Sequence, residues 1–304
     1  MRPSYPLKGH QLAITLLAGL AAGIPLSASP AQPAPVDRWQ AVDAGLGRAG
    51  TTQPDGVRRY SFPRSDLKVT LDGVAIRPAL ALGSWIAFHP VGSRAHVMGD
   101  LVLTGGEVNA VMGYVLAAGM KVTALHNHLL RSTPPTFYMH VEGEGDPGKL
   151  AAALRAALAK SGTPLAPPAS SASVAVDLDT AALDRTLGRP GKSNGGVYQF
   201  TFPRKEDITA GKMPAGASMG TGTAINFHGV GGGRTAVTGD FVLLVSEVDP
   251  VMRTLRSGGL EITALHTHML DEEPRLFFMH FWGVGDAART SQTLRAALAL
   301  TDKR

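Results

Sequence analysis

Cysteine is absent from this chain of 304 residues. Its absence excludes disulfide bonds and thiolate metal ligands, and it leaves no cysteine near the N-terminus to carry a lipid. Charge is also sparse, since 17% of the residues are charged and the formal net charge is +5. That balance is too mild to indicate nucleic acid or an anionic membrane as a partner. The 44% hydrophobic content is enough to bury sizeable cores and suits two domains.

The first 35 residues differ from the rest of the chain. Arg2 and Lys8 precede an apolar run over residues 12–26, which is followed by small residues and prolines. This order is typical of a secretory signal peptide, and Ser29–Ala31 offers a small-x-small cleavage site. The apolar run is shorter than the ~20 residues that span a bilayer, so we expect cleavage and no stable membrane anchor. The predicted location is the periplasm or the medium outside the cell.

The remainder of the chain is one unit written twice. The segments SFPR (61–64), VMGD (97–100), TALH (123–126) and RAAL (155–158) return as TFPR (201–204), VTGD (237–240), TALH (263–266) and RAAL (295–298). Between the units, residues 161–175 have the Pro, Ser and Ala content of a linker. We therefore place the two repeat domains at residues 36–160 and 176–304.

Sequence periodicity predicts both strands and helices in each unit. Residues 37–46, 107–118 and 147–160 are expected to be helical, the second because its apolar residues recur at helical spacing. The Asp-Gly pair at residues 72–73 is the signal for a two-residue hairpin turn. The second unit lacks this signal, and its Gly-rich residues 208–223 are expected to form a flexible loop. The mixture predicts an α+β fold, with an antiparallel sheet, a His-bearing β-hairpin and packed helices in each repeat.

The most informative stretch is residues 121–146, KVTALHNHLLRSTPPTFYMHVEGEGD, which predict a β-hairpin with residues 131–135 as its loop. Alternation along a strand puts His126 and His128 on one face, and counting back from the loop places His126 opposite His140. The second unit repeats the pattern with His266, His268 and His280.

Three imidazoles that converge on one patch indicate a metal site. Imidazole is the commonest neutral metal ligand, and an H-x-H strand presents two nitrogens to one ion. A third histidine from the neighbouring strand makes a facial set that suits Zn²⁺, Cu²⁺, Ni²⁺ or Fe²⁺. We therefore predict one divalent-metal site in each repeat, with zinc as the first choice. The predicted ligand sets are His126, His128 and His140 in the first repeat and His266, His268 and His280 in the second.

Two glutamates are candidates for a fourth ligand or a general base. Glu107 follows Thr104 by three residues and equally fits a capping box, whereas Glu247 is expected to be free of that duty. Asp100 and Asp240 follow glycine at the head of a strand, where a turn role is expected. The alternative is that either aspartate orients a histidine.

The paired segments SFPR/TFPR, VMGDLVL/VTGDFVL, TALHNHLL/TALHTHML and YMHVEGEGD/FMHFWGVGD resemble the LppY/LpqO family of exported bacterial proteins, whose function is unknown. The resemblance covers nearly everything after the N-terminal segment, and it implies export and two tandem copies of one domain. The family's namesakes are classed as lipoproteins. Because this chain lacks the lipid-bearing cysteine, the resemblance does not imply an anchor here.

Two classes of function stay open at this point. In the first, the histidines form metal sites that are either catalytic or dedicated to metal binding. In the second, the protein is a non-enzymatic binding or interaction module of the cell envelope with structural histidines. The partner is then a small molecule or an envelope component. No P-loop, dinucleotide fingerprint or Ser-His-Asp order is present in the sequence.

Overall fold

The structure is a computed structural model that describes Met1, Pro3, residues 38–167 and residues 174–303. The predicted signal peptide therefore lies outside the described residues, except for Met1 and Pro3, and so does the middle of the predicted linker. In the described part of the chain, no helix has the length and apolar character that a membrane crossing requires. Residues from Arg38 onward form one compact unit.

The first repeat alternates strands with a few helices. Its strands are β1 (Thr51–Thr52), β2 (Arg58–Pro63), β3 (Thr70–Leu71), β4 (Val74–Ala75), β5 (Gly83–Val91), β6 (Arg94–Thr104), β7 (Lys121–His126) and β8 (Thr136–Gly145). Its helices are α1 (Gln40–Leu46), α2 (Pro78–Ala81), α3 (Val108–Ala117) and α4 (Pro147–Leu158).

The second repeat follows the same order. Its strands are β9 (Lys192–Asn194), β10 (Val197–Phe202), β11 (Thr209–Ala210), β12 (Met213–Pro214), β13 (Thr223–Gly229), β14 (Arg234–Leu243), β15 (Glu261–His266), β16 (Glu272–Glu273) and β17 (Phe277–Asp286). Its helices are α5 (Thr180–Leu187), α6 (Val245–Ser257) and α7 (Ala287–Leu298), with a 3₁₀ turn at Ala217–Met219.

Each repeat builds a six-stranded antiparallel sheet. The strand order is β1-β2-β5-β6-β8-β7 in the first sheet and β9-β10-β13-β14-β17-β15 in the second, which is the same arrangement. The predicted α+β fold with two similar halves is thus confirmed. In both sheets the strand that carries the H-x-H motif lies at the edge, next to the strand that carries the third histidine.

The long central strands are buried on both faces. On β6, Val97 and Leu101 pack against the helices of their own repeat. The alternate residues Met98 and Val102 point to the other face, because successive side chains of a strand alternate. We refer to this second face of each sheet as its inner face.

The inner faces of the two sheets pack against each other. One shared apolar cluster includes Met98 of the first repeat and Phe278 of the second. Another includes Tyr138 and Trp282. The layers therefore run helices, sheet, sheet, helices. A polar side chain on either inner face is consequently enclosed by the other repeat.

The histidine hairpin forms, but its register differs from the prediction. Ala124 lies opposite His140, and His126 lies opposite Tyr138, after a bulge near the start of β7. The observed register is shifted by two residues from the predicted pairing of His126 with His140. A shift of two leaves every side chain on its original face, so His126 and His140 still share the inner face.

The reason for the shift is a longer loop. The loop spans residues 127–135 rather than 131–135, because β7 ends at His126. Within it, Thr133 exchanges two backbone hydrogen bonds with Thr70 of β3, each 2.9 Å long. The loop backbone is therefore paired with the short β3–β4 hairpin instead of with the neighbouring strand, and His128 lies in the loop.

The predicted Asp-Gly hairpin connects β3 to β4, with positive φ angles of 49° at Asp72 and 78° at Gly73. The prediction of a flexible loop over residues 208–223 is wrong. This stretch contains its own hairpin, β11–β12, which turns at Gly211 with φ 56°. Strand β11 also pairs with β16 of the second histidine loop, so both repeats hold that loop with a small hairpin.

Gly220 offers a test of the packing between the repeats. It has φ +94°, and a Cβ atom added there would lie 2.7 Å from Cη2 of Trp85 in the other repeat. We expect Gly220→Ala to lower the free energy of unfolding by about 2–5 kcal/mol, because left-handed backbone strain and overpacking add together. Chemical denaturation of the purified variant measures this loss.

Gly231→Ala is the matched control. Gly231 has a similar φ of +85° but nothing within 4 Å of the added Cβ. It should therefore lose only the backbone term of about 1–2 kcal/mol. Equal losses for the two variants would contradict the close packing of Gly220 on Trp85.

Candidate metal centre

Each inner face carries an aspartate directly opposite a histidine. Asp100 of β6 pairs with His140 of β8, and Asp240 of β14 pairs with His280 of β17. The distance from Asp100 Oδ1 to His140 Nε2 is 3.9 Å, and that from Asp240 Oδ1 to His280 Nε2 is 3.8 Å. Both distances exceed hydrogen-bond length, so each carboxylate faces a ring nitrogen across a gap.

The H-x-H motifs bring four more histidines to the same place. The first histidine of each motif ends its edge strand, β7 or β15, and the second lies in the loop that follows. The loop histidines stack on aromatic rings of the adjacent strand. The ring centroids are 3.4 Å apart for His128 and Tyr138, and 3.5 Å apart for His268 and Phe278.

The six histidines meet in three ring pairs, and each pair takes one ring from each repeat. The centroid distances are 3.6 Å for His126/His266, 3.6 Å for His128/His280 and 3.7 Å for His140/His268. Exchanging the repeats maps the first pair onto itself and the second pair onto the third. A pseudo-two-fold axis therefore passes between His126 and His266.

We call these six histidines together with Asp100 and Asp240 the His/Asp cluster. Four sets within it have ligand atoms that all lie within 4.8 Å of one another. They are Asp100/His128/His140, Asp240/His268/His280, His126/His140/His266/His268 and His126/His128/His280. Two sets are triads drawn from a single repeat, and two combine both repeats.

The predicted ligand sets His126/His128/His140 and His266/His268/His280 stay predictions. The groups of ligand atoms that lie close together combine the same six histidines differently and include Asp100 and Asp240. The register shift moves His126 away from the position opposite His140, and Asp100 occupies that position on the other side of β8. An aspartate therefore replaces the first histidine in each single-repeat set.

Many polar atoms of the His/Asp cluster are buried without a hydrogen-bond partner among the described residues. They are Asp100 Oδ1, Asp240 Oδ1, both ring nitrogens of His126, Nε2 of His128, His140 and His280, and Nδ1 of His266. Buried polar groups nearly always have a partner, because an unmade bond costs about 1–3 kcal/mol. A cation satisfies several lone pairs at once, so this concentration of unpartnered atoms favours a metal.

The tautomer of His280 strengthens this argument. Its Nδ1 lies 3.2 Å from the carbonyl oxygen of Gly239, which only accepts, so Nδ1 carries the proton. In a neutral ring Nε2 then presents a lone pair, and that lone pair faces the Asp240 carboxylate. An ionised carboxylate and a ring lone pair repel each other at this distance, so either the carboxyl group is protonated or a cation lies between them. Fixing the tautomer through Nδ1 is also how metal-binding histidines are usually oriented.

Burial keeps the imidazoles in the form that binds metal. It lowers the pKa of His126 to about 4, and burial together with the charge of His126 lowers the pKa of His266 to about 3. Burial and repulsion among the rings lower the pKa of the remaining members well below the usual value, namely His128, His140, His268 and His280. The rings are therefore neutral near pH 7 and able to ligate.

The two carboxyl groups shift in the opposite direction. Burial raises the pKa of Asp100 to about 7, although the charge of Arg59 opposes the rise. Burial, followed by the charge of Asp100, raises the pKa of Asp240 well above its usual value. The two carboxylates repel each other, and the charge of Arg59 compensates only part of their negative charge. A bound cation would supply the remaining positive charge and return both groups to the ionised form.

For Asp100 and Asp240 the sequence favoured a turn role and left open the alternative that either orients a histidine. They instead lie within the central strands, at equivalent positions on the two inner faces. The signal that identifies them is the alternation of β6, where Asp100 falls between the inward residues Met98 and Val102. That alternation places a carboxylate inside the protein, where it needs a partner.

The chain belongs to the family described as "Domain of Unknown Function (DUF1259)". The family matches residues 40–160 and 181–300, so each repeat is one copy of this domain. No curated protein matches the chain. The resemblance to the LppY/LpqO family stays a prediction.

Solved structures give only distant similarity. The crystal structure of a trimeric bacterial microcompartment shell protein, PduB, is 15% identical, with 83% of this chain and 90% of that chain covered at a TM-score of 0.21. The crystal structure of EtuB from Clostridium kluyveri is 10% identical, with 82% and 88% covered at a TM-score of 0.20. Similarity at these TM-scores supports no conclusion about the function of the domain.

Glu107 and Glu247, the predicted candidates for a fourth ligand or a general base, each contact an arginine and the start of a helix. In the first domain copy, Glu107 Oε2 accepts hydrogen bonds from Thr104 N at 2.8 Å and from Arg64 Nη1 at 2.9 Å. In the second domain copy, Glu247 Oε2 accepts the equivalent hydrogen bonds. The donors are Leu244 N and Arg204 Nη1, both at 2.7 Å. Contrary to expectation, Glu247 thus caps its helix.

This buried ion pair gives a stability prediction. The Arg64 side chain is 0% exposed, and Glu107→Ala would leave it with Asp66 as its remaining carboxylate partner. We expect a loss of about 3 kcal/mol in the free energy of unfolding. This is the lower end of the usual cost of breaking a buried ion pair, because Asp66 still pairs with Arg64. Asp249→Ala breaks an exposed i,i+4 pair with Arg253 and should cost at most about 0.5 kcal/mol.

The loss for Glu107→Ala should depend on pH. Burial raises the pKa of Glu107, but hydrogen bonds from Arg64, Gly162 and Thr104 outweigh it and hold the pKa below the usual 4.5. A carboxylate with a depressed pKa stabilises the fold above its unfolded pKa, and it loses that effect as the pH falls through its folded pKa. The difference from wild type should therefore shrink below about pH 4. Urea unfolding of both proteins near neutral pH and below about pH 4 tests this. The same difference in the free energy of unfolding at the two pH values would contradict it.

Proposed function

We propose that this chain is an exported divalent-metal-binding protein whose metal centre is the His/Asp cluster between the two domain copies. The observation that carries the proposal is the convergence of buried, unpartnered imidazole nitrogens and carboxylate oxygens. Two atoms that each lie about 2.0–2.1 Å from one ion are at most about 4.2 Å apart. The 3.8 and 3.9 Å gaps between aspartate and histidine fall within that limit.

The alternative, in which the histidines are structural parts of an envelope binding module, predicts rings that are satisfied by hydrogen bonds. Some ring nitrogens have such contacts, including the Nε2 atoms of His266 and His268, which lie 3.0 Å apart. The nitrogens that face the aspartates, Nε2 of His140 and His280, have none among the described residues. The observed pattern supports metal binding over the structural alternative.

The donor set narrows the choice of metal. Imidazole and carboxylate without thiolate suit Zn²⁺, Cu²⁺, Ni²⁺ and Fe²⁺. Zinc is the first ion to test, because it accepts nitrogen and oxygen ligands without a redox change.

The more accessible side of the centre is that of His126, His128 and His266. These three residues are half-buried, whereas His140 and His280 are 4% and 2% exposed. A small-molecule ligand or substrate would reach a bound metal from this side. Metal binding is the proposed activity. If a reaction takes place at the metal, its substrate would enter from the same side.

Metal binding is tested with protein that has no His-tag and has been stripped with a chelator. The wild type should bind Zn²⁺ with a micromolar or lower dissociation constant near about pH 7.5, where the rings are neutral. At an ion concentration of about 100 times the dissociation constant, the thermal midpoint should rise by roughly 5–10 °C. Calorimetric titration and thermal scans measure the two effects.

Variants test whether the histidines of the His/Asp cluster hold the metal. His140→Ala and His268→Ala come from different repeats but remove rings that stack on each other, so each should weaken binding by at least about tenfold. His89→Ala and His228→Ala, a repeat-related pair outside the His/Asp cluster, should bind as the wild type does. The proposal fails if the wild type binds none of the four metals, or if the control variants lose as much as the cluster variants.

Export is tested on the mature protein from its native host. The basic, apolar and small-residue order of the first 35 residues supports removal of a signal peptide. Mass spectrometry should find a mature N-terminus between about Ser29 and Val36. An intact Met1 in the soluble fraction would contradict export.

A further inference from the structure

We infer that the His/Asp cluster holds two metal ions in one binuclear centre, one on each Asp-His-His triad. This inference rests on the proposed metal-binding function and adds the number and arrangement of the ions. The first triad is Asp100, His128 and His140, and the second is Asp240, His268 and His280.

The two triads share no residue and occupy equivalent positions. Each combines an aspartate from the central strand, a histidine from the neighbouring strand and a histidine from the loop, all from one repeat. Two histidines and a carboxylate form the facial set that leaves coordination positions open. Both triads therefore present the same ligand types in the same arrangement, so an arrangement that binds an ion in one triad should also bind an ion in the other.

A single ion fits the unpartnered atoms less well. The one four-histidine set takes His140 from the first triad and His268 from the second, so an ion there competes with both triads. It would leave Asp100 Oδ1, Asp240 Oδ1, His128 Nε2 and His280 Nε2 buried without partners. Two ions, one on each triad, reach all four of these atoms.

Symmetry points the same way. A single ion in the four-histidine set would break the pseudo-two-fold arrangement. One ion on each triad preserves that arrangement.

The two remaining histidines connect the triads. His126 and His266 lie on either side of the pseudo-two-fold axis with centroids 3.6 Å apart. The His126 ring lies within 5.6 Å, centroid to centroid, of rings in both triads. His266 shares a group of ligand atoms within 4.8 Å of one another with His140 of the first triad and His268 of the second. Both residues are half-buried, as is His128 of the first triad. We assign His126 and His266 as the ligands that face the open side of the binuclear centre.

The test combines metal counting with electron paramagnetic resonance on the full chain. Stripped, untagged protein is titrated with Zn²⁺, and bound metal is counted after desalting. A second sample is loaded with Cu²⁺, because two Cu²⁺ ions in adjacent sites couple magnetically and give a half-field signal. We expect two ions per chain in both samples, with the half-field signal in the second.

Asp100→Asn and Asp240→Asn should each retain one ion, lose the half-field signal and give the spectrum of an isolated Cu²⁺ site. Asp249→Asn, a change in an exposed ion pair, should retain two coupled ions. Circular dichroism confirms that the variants are folded, and the wild-type count remains decisive if they are not.

The outcomes separate this inference from the proposed function. No bound metal in the wild type overturns both. One ion per chain, or two ions without magnetic coupling, overturns the binuclear centre and leaves metal binding standing. Two coupled ions that survive the Asp100→Asn change also overturn the assignment of the triads.

Discussion

A β-sheet has two faces, and the helices of each repeat cover only one of them. The inner face carries residues such as Met98 and Tyr138, which are too apolar to stay in water. The other repeat supplies the cover, because its sheet offers an inner face of the same construction. Everything at the candidate site depends on this enclosure. The same side chains on a solvated sheet face would be hydrated, and they would not need a shared partner.

Local patterns predicted the parts of the fold that depend on local interactions. The helices near residues 107–118 and 147–160, the Asp-Gly hairpin and the shared face of His126 and His140 follow from spacing and turn chemistry, and the structure contains them. The hairpin register did not follow, because the loop backbone pairs with a distant strand through Thr133. Sequence spacing carries no information about that competing partner.

The composition of the site was predictable only in part. The six histidines were identified because they recur in both repeats at strand spacing. Their pairing across the repeats was not, since the packing of one sheet on another is a tertiary arrangement that no local period encodes. The turn role favoured for the aspartates was wrong for a related reason, whereas the alternative of a role beside a histidine stayed open. A glycine followed by aspartate is a common turn signal, and only the burial of β6 and β14 on both faces shows that Asp100 and Asp240 lie inside strands.

The pseudo-two-fold axis has a consequence for how such a protein can change over time. A single copy of this domain could enclose its inner face by pairing with an identical chain, and every residue of that interface would then be present twice. Joining the copies in one chain removes the constraint. Near the His/Asp cluster the two halves remain alike. Farther along the same strands, His96 and Glu142 form a pair in the first repeat. Ala236 and Trp282 occupy the equivalent positions of the second repeat. Tandem duplication therefore allows the two sides of one enclosed surface to diverge separately while the shared centre keeps its symmetry.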